Sequence, residues 1–156
     1  SISDYDIELC ASPFNRTLKY FCGAYPATDL YYKGSLGNVL DISLKSDTKY
    51  TLNPPYEETF MNRLFKKVTK ELENDELHGV TIFISIPLLD NYLLKMIGRD
   101  KNTTDSCRYI PYEILMSSKY LKSSTILSRD SYQYYDYYEC IYKNVVDTIH
   151  ITLYKS

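Results

Sequence analysis

Hydrophobic and polar positions alternate from the first residues: Tyr5, Ile7 and Leu9 fall on one side of an extended segment, Asp4, Asp6 and Glu8 on the other, as a half-buried strand requires. Alternation returns at residues 18–22, 40–45 and 50–52, with Gly34, Gly37 and Asn38 punctuating the turns. Asn53-Pro-Pro55 stops the extended run. From Glu57 the period changes, because Phe60, Met61, Leu64, Phe65, Val68 and Leu72 recur at the spacing of one helix face, which predicts a helix over residues 57–77. Glu57 and Glu58 in its first turn suit the positive end of the helix dipole. Residues 79–86 are β-branched and apolar at nearly every position, the pattern of a central strand covered on both faces. Residues 88–97 fit a helix face and an edge strand alike, 98–106 read as a polar loop, and strands are predicted at 107–116, 120–127, 132–142 and 148–154. Roughly eight or nine short strands beside one long helix imply a mainly β fold, a two-sheet β-sandwich with one flanking α-helix.

At 156 residues the chain has the length of a single domain, taken here as residues 1–156. Hydrophobic residues at 44% and charged residues at 24% leave little room for a long disordered segment. No apolar run approaches the ~20 residues that cross a bilayer, so no membrane is expected. A net charge of -2 without clustered lysine and arginine argues against a nucleic-acid partner. Cys10, Cys22, Cys107 and Cys140 lack the close C-x-x-C spacing of zinc and redox sites, and an even count predicts disulfides in three possible connectivities. With the sequons Asn15-Arg-Thr17 and Asn102-Thr-Thr104, which make Asn15 and Asn102 glycosylation candidates, they point to a secreted, extracellular protein. A start at Ser1, without methionine or signal peptide, reads as a piece excised from a longer protein.

The inventory for catalysis is thin. His78 and His150 are the two histidines and neither sits beside a nucleophile motif, the five glycines are scattered, and no metal or cofactor is expected. A carboxylate pair of the glycosidase kind leaves no sequence trace among 20 acids and stays as the hydrolase alternative. Binding chemistry is denser. In the tract from Asp130 to Tyr142 six of thirteen residues are tyrosine and three are carboxylic, a composition suited to gripping a cationic protein. Strand alternation places Tyr132, Tyr134 and Cys140 on one face and Tyr135, Tyr137 and Glu139 on the other, so burial of Cys140 would expose Tyr135, Tyr137 and Glu139 as contacts. Asp4, Asp6 and Glu8 form a second acidic stripe, either a contact for a basic partner or a charged guard on an edge strand.

Taken together, Tyr5-Asp-Ile-Glu-Leu-Cys10, Tyr25-Pro-Ala-Thr-Asp29, Tyr50-Thr-Leu-Asn-Pro-Pro55 and Ile149-His-Ile-Thr-Leu-Tyr154 resemble the SECRET domain, the carboxy-terminal chemokine-binding domain of poxvirus tumour necrosis factor receptor homologues. The resemblance implies a disulfide-bonded β-sandwich that performs no chemistry and sequesters host chemokines, blocking receptor signalling and leukocyte migration. It does not extend to tumour necrosis factor, because the cysteine-rich receptor repeats are absent. A viral ectodomain or decoy that binds another host immune receptor is the competing reading, and the oligomeric state stays open.

Overall fold

The computed structural model describes residues 4–11, 16–24, 33–88, 109–128, 134–136, 141–143 and 147–156. Seven of its strands form one sheet: β1 (Ile7–Leu9), β2 (Tyr20–Gly23), β3 (Ser35–Asn38), β4 (Lys49–Leu52), β5 (Val80–Pro87), β6 (Leu121–Leu127) and β9 (Thr148–Lys155), in the spatial order β3-β2-β1-β4-β5-β9-β6. The pairs from β3 through β5 are all parallel. β9 runs antiparallel to both β5 and β6, so it alone is reversed in this sheet. The chain steps outward from β1 to β2 and β3, then returns to the other side of β1 for β4 and β5. The boundary between β1 and β4 is therefore a topological switch point.

Parallel neighbours need a crossover, and α1 (Glu58–Leu72) supplies it between β4 and β5. The Glu57 carboxylate caps this helix, accepting from Thr59 N at 3.0 Å and Phe60 N at 2.7 Å. Met61, Leu64, Phe65, Val68 and Leu72 are all buried, on the face that the apolar spacing predicted. They share a core with Tyr50 and Leu52 of β4, Ile82, Ile84 and Ile86 of β5, and Ile151 and Leu153 of β9. Full burial of each such aliphatic or aromatic side chain is worth about 1.5–3 kcal/mol, which makes this layer the main source of stability. At the helix end Lys155 Nζ donates to Leu72 O at 2.7 Å and also to Asn74 O, a cation placed where the dipole is negative. A second short helix, α2 (Ile110–Met116), starts with a proline in its first turn and packs against α1.

The expected two-sheet β-sandwich is thus corrected to an α/β fold built on one seven-stranded mixed sheet. Local alternation identifies a strand but carries no information on its partner, and the parallel strands pair across crossover connections, α1 among them, instead of tight hairpins. Residues 40–45 are not a strand: Val39 and Leu44 are buried in the core beneath α1, and Leu44 N donates to Glu71 Oε2 at 2.8 Å. The strand expected over residues 107–116 contains α2 instead. The tyrosine-rich strand expected over 132–142 is interrupted, with β7 (Tyr134–Asp136) and β8 (Ile141–Lys143) forming a separate antiparallel pair. β5 is not covered equally on both faces, since Ile82, Ile84 and Ile86 are fully buried while Thr81, Phe83 and Ser85 are half-buried.

The disulfide-bonded expectation is corrected as well. Cys10 and Cys22 carry free thiols, Cys22 packed in the core and Cys10 against it. Apolar packing accounts for them without a covalent link. Cys107 and Cys140 lie outside the described residues, as do Asn15 and Asn102. Among the described residues no helix is long and apolar enough to cross a membrane.

Candidate functional site

The face of the sheet opposite α1 carries a different chemistry. Register places Glu8 of β1 beside Thr51 of β4, Thr51 beside Phe83 of β5, and Ser85 beside His150 of β9, so these side chains share that face. They line a cleft of about 390 Å³ that extends to Cys10, Ala11 and Asn53 beyond the carboxyl ends of β1 and β4, and to Thr17 in the β1–β2 connection. This is the position where open α/β sheets bind ligands, and the volume falls in the ordinary range for small-molecule sites.

Three local features shape the cleft. Cys10 adopts φ +61°, a left-handed conformation uncommon outside glycine, which turns the chain sharply as it leaves β1. Glu8 Oε2 accepts from Thr17 N at 2.7 Å and Leu18 N at 3.1 Å, tying the β1–β2 connection to β1 itself. Phe83 forms an aromatic row, with the Tyr5 ring centroid at 5.9 Å and His150 packed edge-on at 4.9 Å and 67°. Burial lowers the pKa of His150, which keeps its imidazole neutral at physiological pH. Glu8 is consequently the one charged group lining the cleft among the described residues. No cluster of three or more metal-ligating side chains occurs among the described residues.

The turn after β4 is chemically unusual. Pro54 and Pro55 have no N–H, so the segment from Asn53 to Tyr56 presents mainly acceptors. Pro55 O is taken by Glu57 N at 2.8 Å. The Asn53 side chain is exposed at the cleft, and Tyr56, three residues further along the turn, is 52% exposed.

The acidic residues expected to form a contact stripe are not presented together to solvent. Asp4 and Asp6 are exposed, Asp6 Oδ2 accepts from Lys49 N at 2.8 Å at the start of β4, and half-buried Glu8 faces the cleft. Tyr135 lies in β7, while Tyr137 and Glu139 are outside the described residues. Sequence reasoning passed over Asn53, Thr17, Phe83 and Ser85 as site residues, and set His150 aside because no nucleophile motif lies beside it. The available signal was Asn53-Pro-Pro55 itself, a donor-poor turn between a strand and a helix, which was read only as a stop.

With this geometry in place, the class of the fold follows: it is the Rossmann-like fold of SAM-dependent methyltransferases. A SAM-dependent methyltransferase from Methanosarcina mazei is similar at TM-score 0.50 and 11% identity, over 99% of this chain and 96% of that one. The N-methyltransferase NodS from Bradyrhizobium japonicum aligns at TM-score 0.48 and 12% identity, over 99% of this chain and 89% of its own. The methyltransferase domain of bacterial CtHen1-CN aligns at TM-score 0.44 and 11% identity, over 96% and 89%. A family model described as the phosphorylated CTD interacting factor 1 WW domain matches residues 3–137, and the chain belongs to that family. No curated protein matches its sequence.

These findings overturn the resemblance to the SECRET domain, and with it the non-enzymatic chemokine-binding function, the chemokine partner and the alternative host-receptor decoy. In this fold three of the four segments behind that resemblance belong to β1, to β4 with the turn after it, and to β9, all in one sheet, while residues 25–29 lie outside the described residues.

Proposed function

We propose that this chain transfers a methyl group from S-adenosylmethionine to an amino group on a planar ring. The observation that carries the reading is the donor-poor turn from Asn53 to Tyr56, set at the carboxyl end of β4 beside the switch point. A target NH₂ brings two donors. The Asn53 side-chain oxygen and the Pro54 carbonyl offer two acceptors, and Pro54 O receives no hydrogen bond from the described residues. Two such bonds would orient the amine and leave the nitrogen lone pair free to react, while the Tyr56 ring offers a stacking surface for the ring that carries it.

The cleft also suits the methyl donor, which when bound supplies an electrophilic methyl on a cationic sulfonium. Glu8 contributes the single charge, negative, and neutral His150 adds no repulsion. The residues that would hold the donor are Glu8, Thr17, and Cys10 with Ala11 at the sharp turn after β1. That turn, at a residue other than glycine, does the work for which many nucleotide-binding folds use a glycine-rich loop.

The test is direct. Titration calorimetry with S-adenosylhomocysteine should show binding, and tritiated S-adenosylmethionine should label adenine or cytosine derivatives, whose exocyclic amines fit the turn. Asn53→Ala should lower kcat by about 100-fold, the scale of one lost orienting hydrogen bond at a reacting centre, while leaving donor affinity unchanged. Absence of donor binding, or full activity in Asn53→Ala, would overturn the reading.

A further inference from the structure

We infer that Glu8 is the positioning residue of the cleft: its carboxylate clamps the far end of the β1–β2 connection and so fixes the wall against which the methyl donor rests. The inference deepens the methyl-donor reading and rests on it. The connection is short, leaving β1 at Cys10 and entering β2 at Tyr20, and no helix occupies its described residues. Backbone and side chains both hold it. On its near side Ala11 N donates to Cys22 O at 3.0 Å. On its far side two successive amides, Thr17 N at 2.7 Å and Leu18 N at 3.1 Å, converge on one oxygen of Glu8. Arg16 anchors the same segment outward, donating from Nη1 to Lys19 O at 2.8 Å and Lys33 O at 2.9 Å, with its guanidinium 5.1 Å from the Phe21 ring centre.

Glu8 and Thr17 both line the cleft, so the clamp and the ligand wall are one structure. Glu8 is a poor choice for a merely decorative surface charge. It is half-buried on a strand with neighbours on both sides, where an uncompensated carboxylate is costly, and the two amide donors offset that cost. An amide oxygen at the same place could accept the same bonds without the charge, which makes Glu8→Gln an informative intermediate.

The experiment combines amide hydrogen exchange with calorimetry on wild type, Glu8→Ala and Glu8→Gln, using S-adenosylhomocysteine as probe. In Glu8→Ala the Thr17 and Leu18 amides should exchange about tenfold faster and the probe should bind about tenfold more weakly, the scale of one lost charge-assisted hydrogen bond. Amides of Thr51 and Phe83 should be unaffected, and Glu8→Gln should fall between wild type and Glu8→Ala in both readouts. Unchanged exchange at Thr17 and Leu18, or unchanged probe affinity in Glu8→Ala, would overturn the inference. If wild type itself does not bind the probe, the methyl-donor reading fails, and the exchange data alone then decide whether the clamp exists.

Discussion

Glu71 in the last turns of α1 accepts the backbone N–H of Leu44, 27 residues earlier in the chain, at 2.8 Å. The same carboxylate meets Lys67 Nζ at 2.5 Å, and Lys67 donates in turn to Ile42 O. Glu71 and Lys67 together thus pin the β3–β4 connection beneath the helix, where Leu44 joins the core. Glu71→Ala should cost about 1–3 kcal/mol, since it leaves the partly buried Leu44 amide without its acceptor and Lys67 with Ile42 O alone. Urea denaturation should register that loss, and exchange of the Leu44 amide should quicken.

The cysteines invite a chemical test. Burial pushes the Cys22 thiol up to about 11, with nearby Lys67 opposing the shift, and raises Cys10 further still, helped by proximity to Cys22. Neither is a thiolate at neutral pH, so iodoacetamide should leave both unmodified in the folded protein and label both after unfolding. Peptide mapping by mass spectrometry reads the result. A Cys10–Cys22 disulfide recovered from non-reduced native protein would contradict it.

His150 should make the protein acid-sensitive. Its folded pKa lies below the ordinary 6.5 because burial disfavours the imidazolium. Below pH 6.5 the unfolded chain therefore takes up a proton that the folded chain refuses. Stability is full above that value and declines as pH falls through it toward the folded pKa. His150→Gln should flatten this part of the profile, seen as a smaller change in urea midpoint between neutral and acid buffers.

Gly34 stands at φ +93° where an added Cβ would run into the Lys19 carbonyl and the Arg16 guanidinium. Gly34→Ala should destabilise by more than ~1 kcal/mol and disturb the Arg16 anchor, since strain and clash act together. A thermal midpoint equal to wild type would show that the β2–β3 turn yields more easily than this contact suggests.

Legibility in sequence followed the range of each interaction. α1 was readable because Met61, Leu64, Phe65, Val68 and Leu72 report a period set within the helix. β5 and β9 were readable from their own apolar patterns. Pairing was not: nothing local in Tyr50-Thr-Leu52 says that it lies parallel to Ile7–Leu9 on one side and to Val80–Pro87 on the other. The tyrosine-rich tract drew attention by density, whereas the cleft assembles Glu8, Asn53, Phe83 and His150 from four strands or their ends, each unremarkable among its sequence neighbours. Glu8 was singled out for its charge, but its neighbours Asp4 and Asp6 made it look like part of a stripe, and only the hydrogen bonds to Thr17 and Leu18 separate it from them.

The reversed strand β9 also bears on how the protein is made. It fills the gap between β5 and β6, yet it is synthesised after both. Throughout translation of α2, β6 and the β7–β8 pair, β5 must carry an unpaired edge of isoleucine and phenylalanine, the kind of edge that recruits strands from other chains. The sheet cannot close until Thr148–Lys155 has left the ribosome, and loss of that segment would leave a molecule with two raw edges in its interior. For this chain the vulnerable interval in biosynthesis opens with β5 and closes only with β9, and a holdase that shields β5 would act within it.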